Sequence, residues 1–230
     1  MKHRQIKTFR QLLSHVRSLP PKRVIIAYPT NAETFQSIAD ARRLLRVQFT
    51  LIGDREIIEH GLGSQNIPAA DIQTVHLHDP SAAVHRAVEL TRDGQADILM
   101  KGSVDTGAMM KVVLQDESNL RTGRLLSDIF LLEFPNRVGR AFIMITDGGM
   151  NLSPTLKDKV ELITNAVEVV HAMGNTKPRV AILSATEFVL PSLQSTVDAA
   201  ALSKMNERGQ IKGAWLTARW RWTTRFRMKR

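Results

Sequence analysis

The apolar positions of this chain fall into short β-branched runs separated by stretches of helical spacing. Runs at 23–28 (RVIIAY), 49–53 (FTLIG), 74–78 (TVHLH) and 96–102 (ADILMKG) read as strands. So do 128–134 (DIFLLEF), 140–147 (RAFIMITD) and 179–185 (RVAILSA). Between them, 31–45 places Phe35, Ile38, Ala39 and Leu44 or Leu45 on one helical face, and 80–93 is a second helix. Asp79 stands where that helix needs an N-cap and Pro80 suits its first turn. The longest helix is expected over 154–173, with Ser153 as cap, Pro154 in the first turn and Gly174 at its end. Phe9, Leu12, Leu13 and Val16 share a face of an opening amphipathic helix, and HGLGSQN at 60–66 reads as a helix stop.

Strands alternating with helices imply an α/β fold with a largely parallel sheet covered by helices. Ligands then bind beyond the carboxyl ends of the strands. Two strand-like runs meet across EFPNRVGR with no helix between them. That break predicts a first α/β domain over 1–135 and a second over 136–214.

Composition adds exclusions. There is no cysteine, which removes disulfides, zinc–thiolate sites and thiol nucleophiles. No apolar run reaches the roughly 20 residues of a membrane span, and the basic start lacks the apolar segment of a secretory signal. A cytoplasmic protein that does not enter membranes is expected. The net charge of +10 invites a nucleic-acid reading. However, residues 215–230, WLTARWRWTTRFRMKR, hold all three tryptophans, six basic residues and no acid. The rest of the chain is only mildly basic, so no specific nucleic-acid partner is expected of it.

Candidate chemistry lies at the strand ends. The run ADILMKG delivers Lys101 and Gly102, followed by Ser103, Asp105 and Thr106 before an apolar helix. A lysine, a glycine and two hydroxyls at a strand-to-helix turn can hold an anion against free helix amides; a capped helix with a solvated lysine would read the same. The spacing is not that of a Walker loop. After FIMIT come Asp147, Gly148, Gly149 and Asn151, where a ligand could approach the backbone, or where the chain simply turns. His76 and His78 share one strand face at a spacing a metal could use, but no third ligand is evident, and no metal site is expected. Neither a His-Glu-x-x-His motif nor a Gly-x-Ser-x-Gly elbow occurs.

Several blocks together carry more. ADILMKGSVDTGAMMKVVL, TGRLLSDIFLLEFP, ITDGGMNLSPTLKDKVELITNAVEVVHAMG and KPRVAILSATEFVLPSLQSTVDAAALSKMNERGQIKGA resemble the phosphate acetyltransferase and phosphate butyryltransferase family, the butyryltransferase branch most of all. The resemblance runs over roughly residues 5–214. It implies a two-domain fold similar to isocitrate and isopropylmalate dehydrogenases, a homodimeric parent family, and the reaction acyl-CoA plus phosphate to acyl phosphate plus CoA. Acyl-CoA and phosphate are then the partners, with CoA a substrate and no tightly bound cofactor. By the same resemblance Lys101, Gly102 and Thr106 match a Lys-Gly-x-x-x-Thr block, with Ser103 inside it. Ser127 matches a serine opening the next strand, Asp147 and Asn151 a Thr-Asp-x-x-x-Asn block, and Lys159 a lysine in the following helix. Gly148 and Gly149 depart from the family's usual small or alanine pair.

In the family GQIKGA runs on into approximately V-D-G-P-L-A-L-D-N-A, whereas here Trp215 follows Ala214. Back-translated from the third base of the Trp215 codon, with CTN for leucine and CGN for arginine, the tail can read A-D-G-P-L-A-L-D-N-A. Residues 215–230 are therefore expected to be non-native, out-of-frame sequence after a one-base slip near codon 214. The family's remaining groups, a Ser-Arg pair with a nearby acid, would be lost with the correct frame, so the second domain is partial and the fold incomplete at the C-terminus, catalytic residues are unassigned, and an inactive or impaired enzyme is expected. The alternatives are a non-catalytic CoA- or phosphate-binding module, and nucleic-acid binding through the basic tail.

Overall fold

Residues 22–27 form β1 (Lys22–Ala27), whose Val24 and Ile26 face one side of a sheet while Ile25 and Ala27 face the other. All four are buried, as the period of two requires for a strand covered on both faces. Around it lie β2 (Val47–Gly53), β3 (Gln73–His76) and β4 (Ile98–Lys101), all parallel, in the order β3-β2-β1-β4. The computed structural model describes residues 5–134 and 142–217.

Two helices, α2 (Ala32–Leu44) and α3 (Arg55–Ser64), cover one face through Phe35, Ile38, Ile58 and Leu62. The other face takes α4 (Pro80–Arg92) and α5 (Thr106–Val113), through Ala83, Val84, Ala87, Leu90 and Met109. Asp79 caps α4 as the sequence predicts, accepting from Ala82 N at 2.6 Å, and Pro80 opens it. The reading of 60–66 as a stop is corrected in part. Gly61 and Gly63 lie inside α3, and the chain leaves the helix at Gln65.

Gly61 is there for packing. A Cβ on it would stand 2.2 Å from the ring of Phe35, which is itself 2% exposed. Gly61→Ala is expected to destabilise the protein by about 1–3 kcal/mol through overpacking. Gly63→Ala, with nothing within 4 Å of its Cβ, is expected to be neutral or to gain up to about 1 kcal/mol from helix propensity. Urea unfolding of both variants checks the contrast; equal midpoints would refute it.

The four-stranded sheet and its helices belong to the compact unit Leu13–Gly123. Met1–Leu12 and Arg124–Arg230 form the other. The expected boundary at 135/136 lies outside the described residues; the two compact units divide at 123/124. The second unit holds β5 (Phe130–Glu133) and β6 (Phe142–Ile145), then α6 (Leu156–Ala172), β7 (Arg179–Ala181), α7 (Gln194–Glu207) and β8 (Trp215–Thr217). Strands β5 and β6 pair antiparallel. The short connection from Glu133 to Phe142 dictates this, because a short connection joins antiparallel neighbours and a parallel pair needs a long crossover. Strands β7 and β8 have that crossover in α7 and are parallel.

Helix α6 is capped by Thr155, not Ser153. Thr155 Oγ1 accepts from Asp158 N while Asp158 Oδ2 accepts from Thr155 N. This reciprocal box satisfies two helix-end amides where a lone Ser153 would satisfy one. The helix ends at Met173 with Gly174 following, as expected. The opening helix α1 (Phe9–Arg17) forms as predicted. Phe9 N donates to Glu133 Oε2 at 2.7 Å, and its ring packs edge-on to Phe142 at 5.1 Å. Residues 218–230, most of the basic tail, lie outside the described residues. Leu216 of β8 is 3% exposed, in a core with Ile163, Val167, Leu202 and Ile211.

Candidate functional site

In the order β3-β2-β1-β4 the chain winds outward from β1 in one direction, then crosses to its other side. The crevice at the carboxyl ends of β1 and β4 is therefore the topological switch point, the usual ligand position in open parallel sheets. Lys101 and Gly102 sit there. Gly102 N donates to Ala27 O and Ser103 N to Tyr28 O, both at 2.8 Å. The two strand ends approach so closely that a Cβ on Gly102 would lie 2.5 Å from Tyr28 O and 2.7 Å from Pro29 Cα. Tyr28 has φ 55°, a left-handed conformation that turns the chain away from β1.

The Lys101 ammonium donates to Val104 O at 3.3 Å, folding over its own turn. Asp105 caps α5, accepting from Ala108 N at 2.8 Å. Ser103 and Thr106 are exposed, and their hydroxyls make no hydrogen bond among the described residues. The turn thus offers a cation, two free hydroxyls and the first amides of α5. An incoming anion would meet the Asp105 carboxylate at the same helix end.

The remaining expected residues belong to the other unit, and each has a partner there. Asp147 Oδ1 accepts from Met150 N at 2.8 Å and Gly149 N at 3.2 Å, and its Oδ2 accepts from the Asn151 amide. Asn151 also donates to Leu126 O at 2.9 Å. Burial acts to raise the Asp147 pKa, but the bonds from Asn151, Met150 and Gly149 outweigh it and hold the carboxyl below its usual range. Gly148 N donates to Asp128 Oδ1 at 2.6 Å. Ser127 Oγ accepts from Asn165 Nδ2 at 3.0 Å.

The segment before Ser127 is fastened along one face of α6. Glu161 accepts from Leu125 N at 2.9 Å. Asn165 bonds Leu125 O and Arg124, and Glu168 pairs with Arg124 at 2.8 Å. These acceptors recur at four- and three-residue steps, the spacing of one helix face.

Lys159 makes an ion pair with Asp198 at 2.5 Å, and Gln194 donates to the other carboxylate oxygen at 2.7 Å. Burial tends to raise the Asp198 pKa; the Lys159 and Gln194 bonds and the Lys159 charge outweigh it and lower it. An open cavity of about 660 Å³ lies over this pair, lined among others by Ser153, Thr155, Val197 and Ala201. Since Asp198 balances Lys159, its floor is polar but close to neutral.

Sequence reasoning missed Asp198, Asp128 and Asn165. The signal for Asp198 was a lone acid in the small-residue run TVDAAAL, which marks a carboxylate carried into a core. Asp128 and Asn165 had no comparable signal. The fold also brings Asp54 beside His76 and His78, a third group that the strand spacing alone did not show.

Residues 69–215 match the model of the family described as phosphate acetyl/butaryl transferase. The chain belongs to this family. It is an acyltransferase by that membership. The matched span contains Lys101–Thr106, Ser127, Asp147, Asn151 and Lys159. Over 207 residues the chain is 40% identical to the phosphate butyryltransferase of Clostridium beijerinckii, covering 90% of this chain and 68% of that one. Over 212 residues it is 33% identical to the phosphate acetyltransferase of Rhizobium meliloti, covering 92% and 66%. A solved branched-chain phosphotransacylase from Enterococcus faecalis V583 superposes with a TM-score of 0.73 at 26% identity, over 86% of this chain and 68% of the other. This family member spans about two thirds of the length of each of these relatives.

Proposed function

We propose that this chain performs reversible acyl transfer, acyl-CoA plus phosphate to acyl phosphate plus CoA, with acetyl or butyryl as the acyl group. The observation that supports this most directly is the family match running through the Lys101–Thr106 turn at the switch point. Phosphate oxygen attacks the thioester carbonyl, the C–S bond breaks, and CoA leaves as the thiolate; the reverse reaction exchanges these roles. No covalent enzyme intermediate and no bound cofactor is needed, so catalysis consists of positioning and charge stabilisation. Lys101, Ser103 and Thr106 hold the phosphate, and Gly102 keeps the backbone out of its way. Ser127, Asp147, Asn151 and Lys159 belong to the substrate-binding set. In that role the Asp147–Asn151 bond shapes the glycine turn, and Asp198 fixes the Lys159 chain.

The isocitrate dehydrogenase-like architecture, the homodimer and the cytoplasmic location belong to the same proposal. So does the frame-slip origin of residues 215–230, which replace the family block and lower turnover. Sequencing the coding DNA through codon 214 tests that part, and a written frame confirmed with no alternative reading sinks it.

The test of the reaction is phosphate-dependent release of CoA from butyryl-CoA and acetyl-CoA. Activity is expected to be low or absent, and any turnover to fall about 100-fold in kcat/KM for Lys101→Ala, the effect of removing one charge-stabilising donor. CoA binding without any turnover, abolished by the same substitution, would replace acyl transfer by the binding-module reading. Turnover on the order of 10–1000 s⁻¹ would keep acyl transfer and refute the impairment.

A further inference from the structure

The carboxyl ends of β2 and β3 carry a side-chain cluster that acyl transfer does not use. Asp54 follows β2, His76 is the last residue of β3, and His78 lies two residues beyond it, outside the strand that the sequence predicted through 78. Their ligand atoms all lie within 4.8 Å of one another. With strands about 4.8 Å apart, β3 is three intervals from β4, so the cluster is distinct from the Lys101 turn.

Its hydrogen bonds form a directed chain. Arg55 N–H donates to His76 Nδ1 at 3.0 Å, so the His76 proton is on Nε2. His76 Nε2 is 3.1 Å from His78 Nε2, which accepts that proton. His78 Nδ1–H donates to Asp54 Oδ2 at 2.5 Å. The rings stand at 84° to each other with centroids 4.3 Å apart. Two nitrogen lone-pair positions thus converge on one point, held apart by a single proton.

That point has the dimensions of a metal site. Two imidazole nitrogens on a tetrahedral ion at 2.0–2.1 Å stand about 3.3 Å apart, against 3.1 Å here. Asp54 on the far nitrogen of His78 supplies the carboxylate–histidine arrangement that orients a ligating ring. To ligate, His76 must move its proton to Nδ1 and give up the Arg55 bond. That bond contributes about 1 kcal/mol. Arg55 N–H is a first-turn amide of α3, which water can serve. Two nitrogen–metal bonds exceed that loss.

We propose that Asp54, His76 and His78 form a binding site for one borderline divalent transition ion, Zn²⁺, Co²⁺, Ni²⁺ or Cu²⁺. His76 Nε2 and His78 Nε2 are the direct ligands, Asp54 supports His78, and water fills the remaining positions. The His78 side chain is 78% exposed, so the ion enters without a conformational change. Imidazole donors select these ions over Mg²⁺ and Ca²⁺.

The experiment titrates the metal-free, full-length chain with Co²⁺, read by its visible absorption, and with Zn²⁺ in competition with a chromogenic chelator. One equivalent is expected to bind, unaffected by excess Mg²⁺. His76→Gln and His78→Gln should each weaken binding by at least about 100-fold, and Asp54→Asn, which keeps a capping oxygen for α3, by about 10–100-fold. His60→Gln and His85→Gln, in the same unit, should bind as the parent does. Zn²⁺ should raise the melting temperature of the parent and not of His78→Gln, whose side chain is too exposed for its loss to unfold the chain. Binding that survives the His76→Gln/His78→Gln double variant, or no saturable binding up to millimolar metal, overturns the proposal and leaves a hydrogen-bonded pair only.

Discussion

Gly102→Ala is expected to unfold about 2–3 kcal/mol more easily than the parent, near the top of the usual range for overpacking. The clash is with backbone, which cannot swing aside as a side-chain tip can. The added Cβ would meet Tyr28 O at 2.5 Å and the Pro29 nitrogen and Cα at 2.7 Å. Tyr28 already holds a positive φ, and Pro29 is buried with its own φ locked by its ring. Relief therefore requires separating β1 from β4, which stretches the Gly102–Ala27 and Ser103–Tyr28 bonds at the switch point. If the proposed reaction holds, kcat/KM should fall with stability, because the Lys101 turn moves with the strand end. Gly149→Ala is the control: nothing lies within 4 Å of its Cβ, and a change within about 0.5 kcal/mol is expected. The comparison needs only denaturant unfolding curves. A Gly102→Ala midpoint equal to the parent's would mean the close approach does not constrain the chain.

The second large effect is expected at Asp198. Its side chain is 6% exposed and that of Lys159 23%. Asp198→Ala leaves Lys159 without its counter-charge and Gln194 without its acceptor. Breaking a fully buried pair from one side costs roughly 3–5 kcal/mol; with Lys159 partly in reach of water, about 2–3 kcal/mol is expected. Asp198→Asn keeps the shape and an acceptor oxygen and should cost less. The two also differ in their pH behaviour. The folded-state pKa of Asp198 is lowered, so its contribution is present above the unfolded carboxylate pKa of about 3.9. It is lost as pH falls through the lowered folded value. The stability gap between the parent and Asp198→Asn should therefore be constant near neutrality and shrink in acid. A gap that stays flat to the lowest pH at which the chain folds would show that Asp198 acts by packing and not by charge.

Much of the fold was legible because its signals are local. Val24 to Ala27 announce a strand covered on both faces, and Asp79-Pro80 announces a helix start; both are written in adjacent residues. The errors came where a local signal had a non-local meaning. Gly61 resembles a helix stop, yet it is a glycine because Phe35, on another helix, occupies the place of its side chain. Ser153-Pro154 resembles a helix start, but the reciprocal Thr155–Asp158 box prevails two residues later. At the candidate site, residue types were readable and their engagements were not. Nothing in the spacing reveals that Asp147 binds its own loop, or that Lys159 is matched by an acid 39 residues later. The Asp54–His76–His78 cluster was half visible, since His76 and His78 stand two residues apart while Asp54 follows a neighbouring strand.

The division of the chain also carries a consequence for its synthesis. Leu13–Gly123 is continuous and can fold as soon as it emerges. Ile6 and Phe9 cannot settle then, because Ile6 waits for Met173 and Phe9 for Glu133 and Phe142. At about 5–20 residues per second, Glu133 follows Gly123 within about two seconds, while Met173 takes several seconds more. During that interval residues 5–12 lack the partners that the fold gives them and stay open to proteases and holdase chaperones.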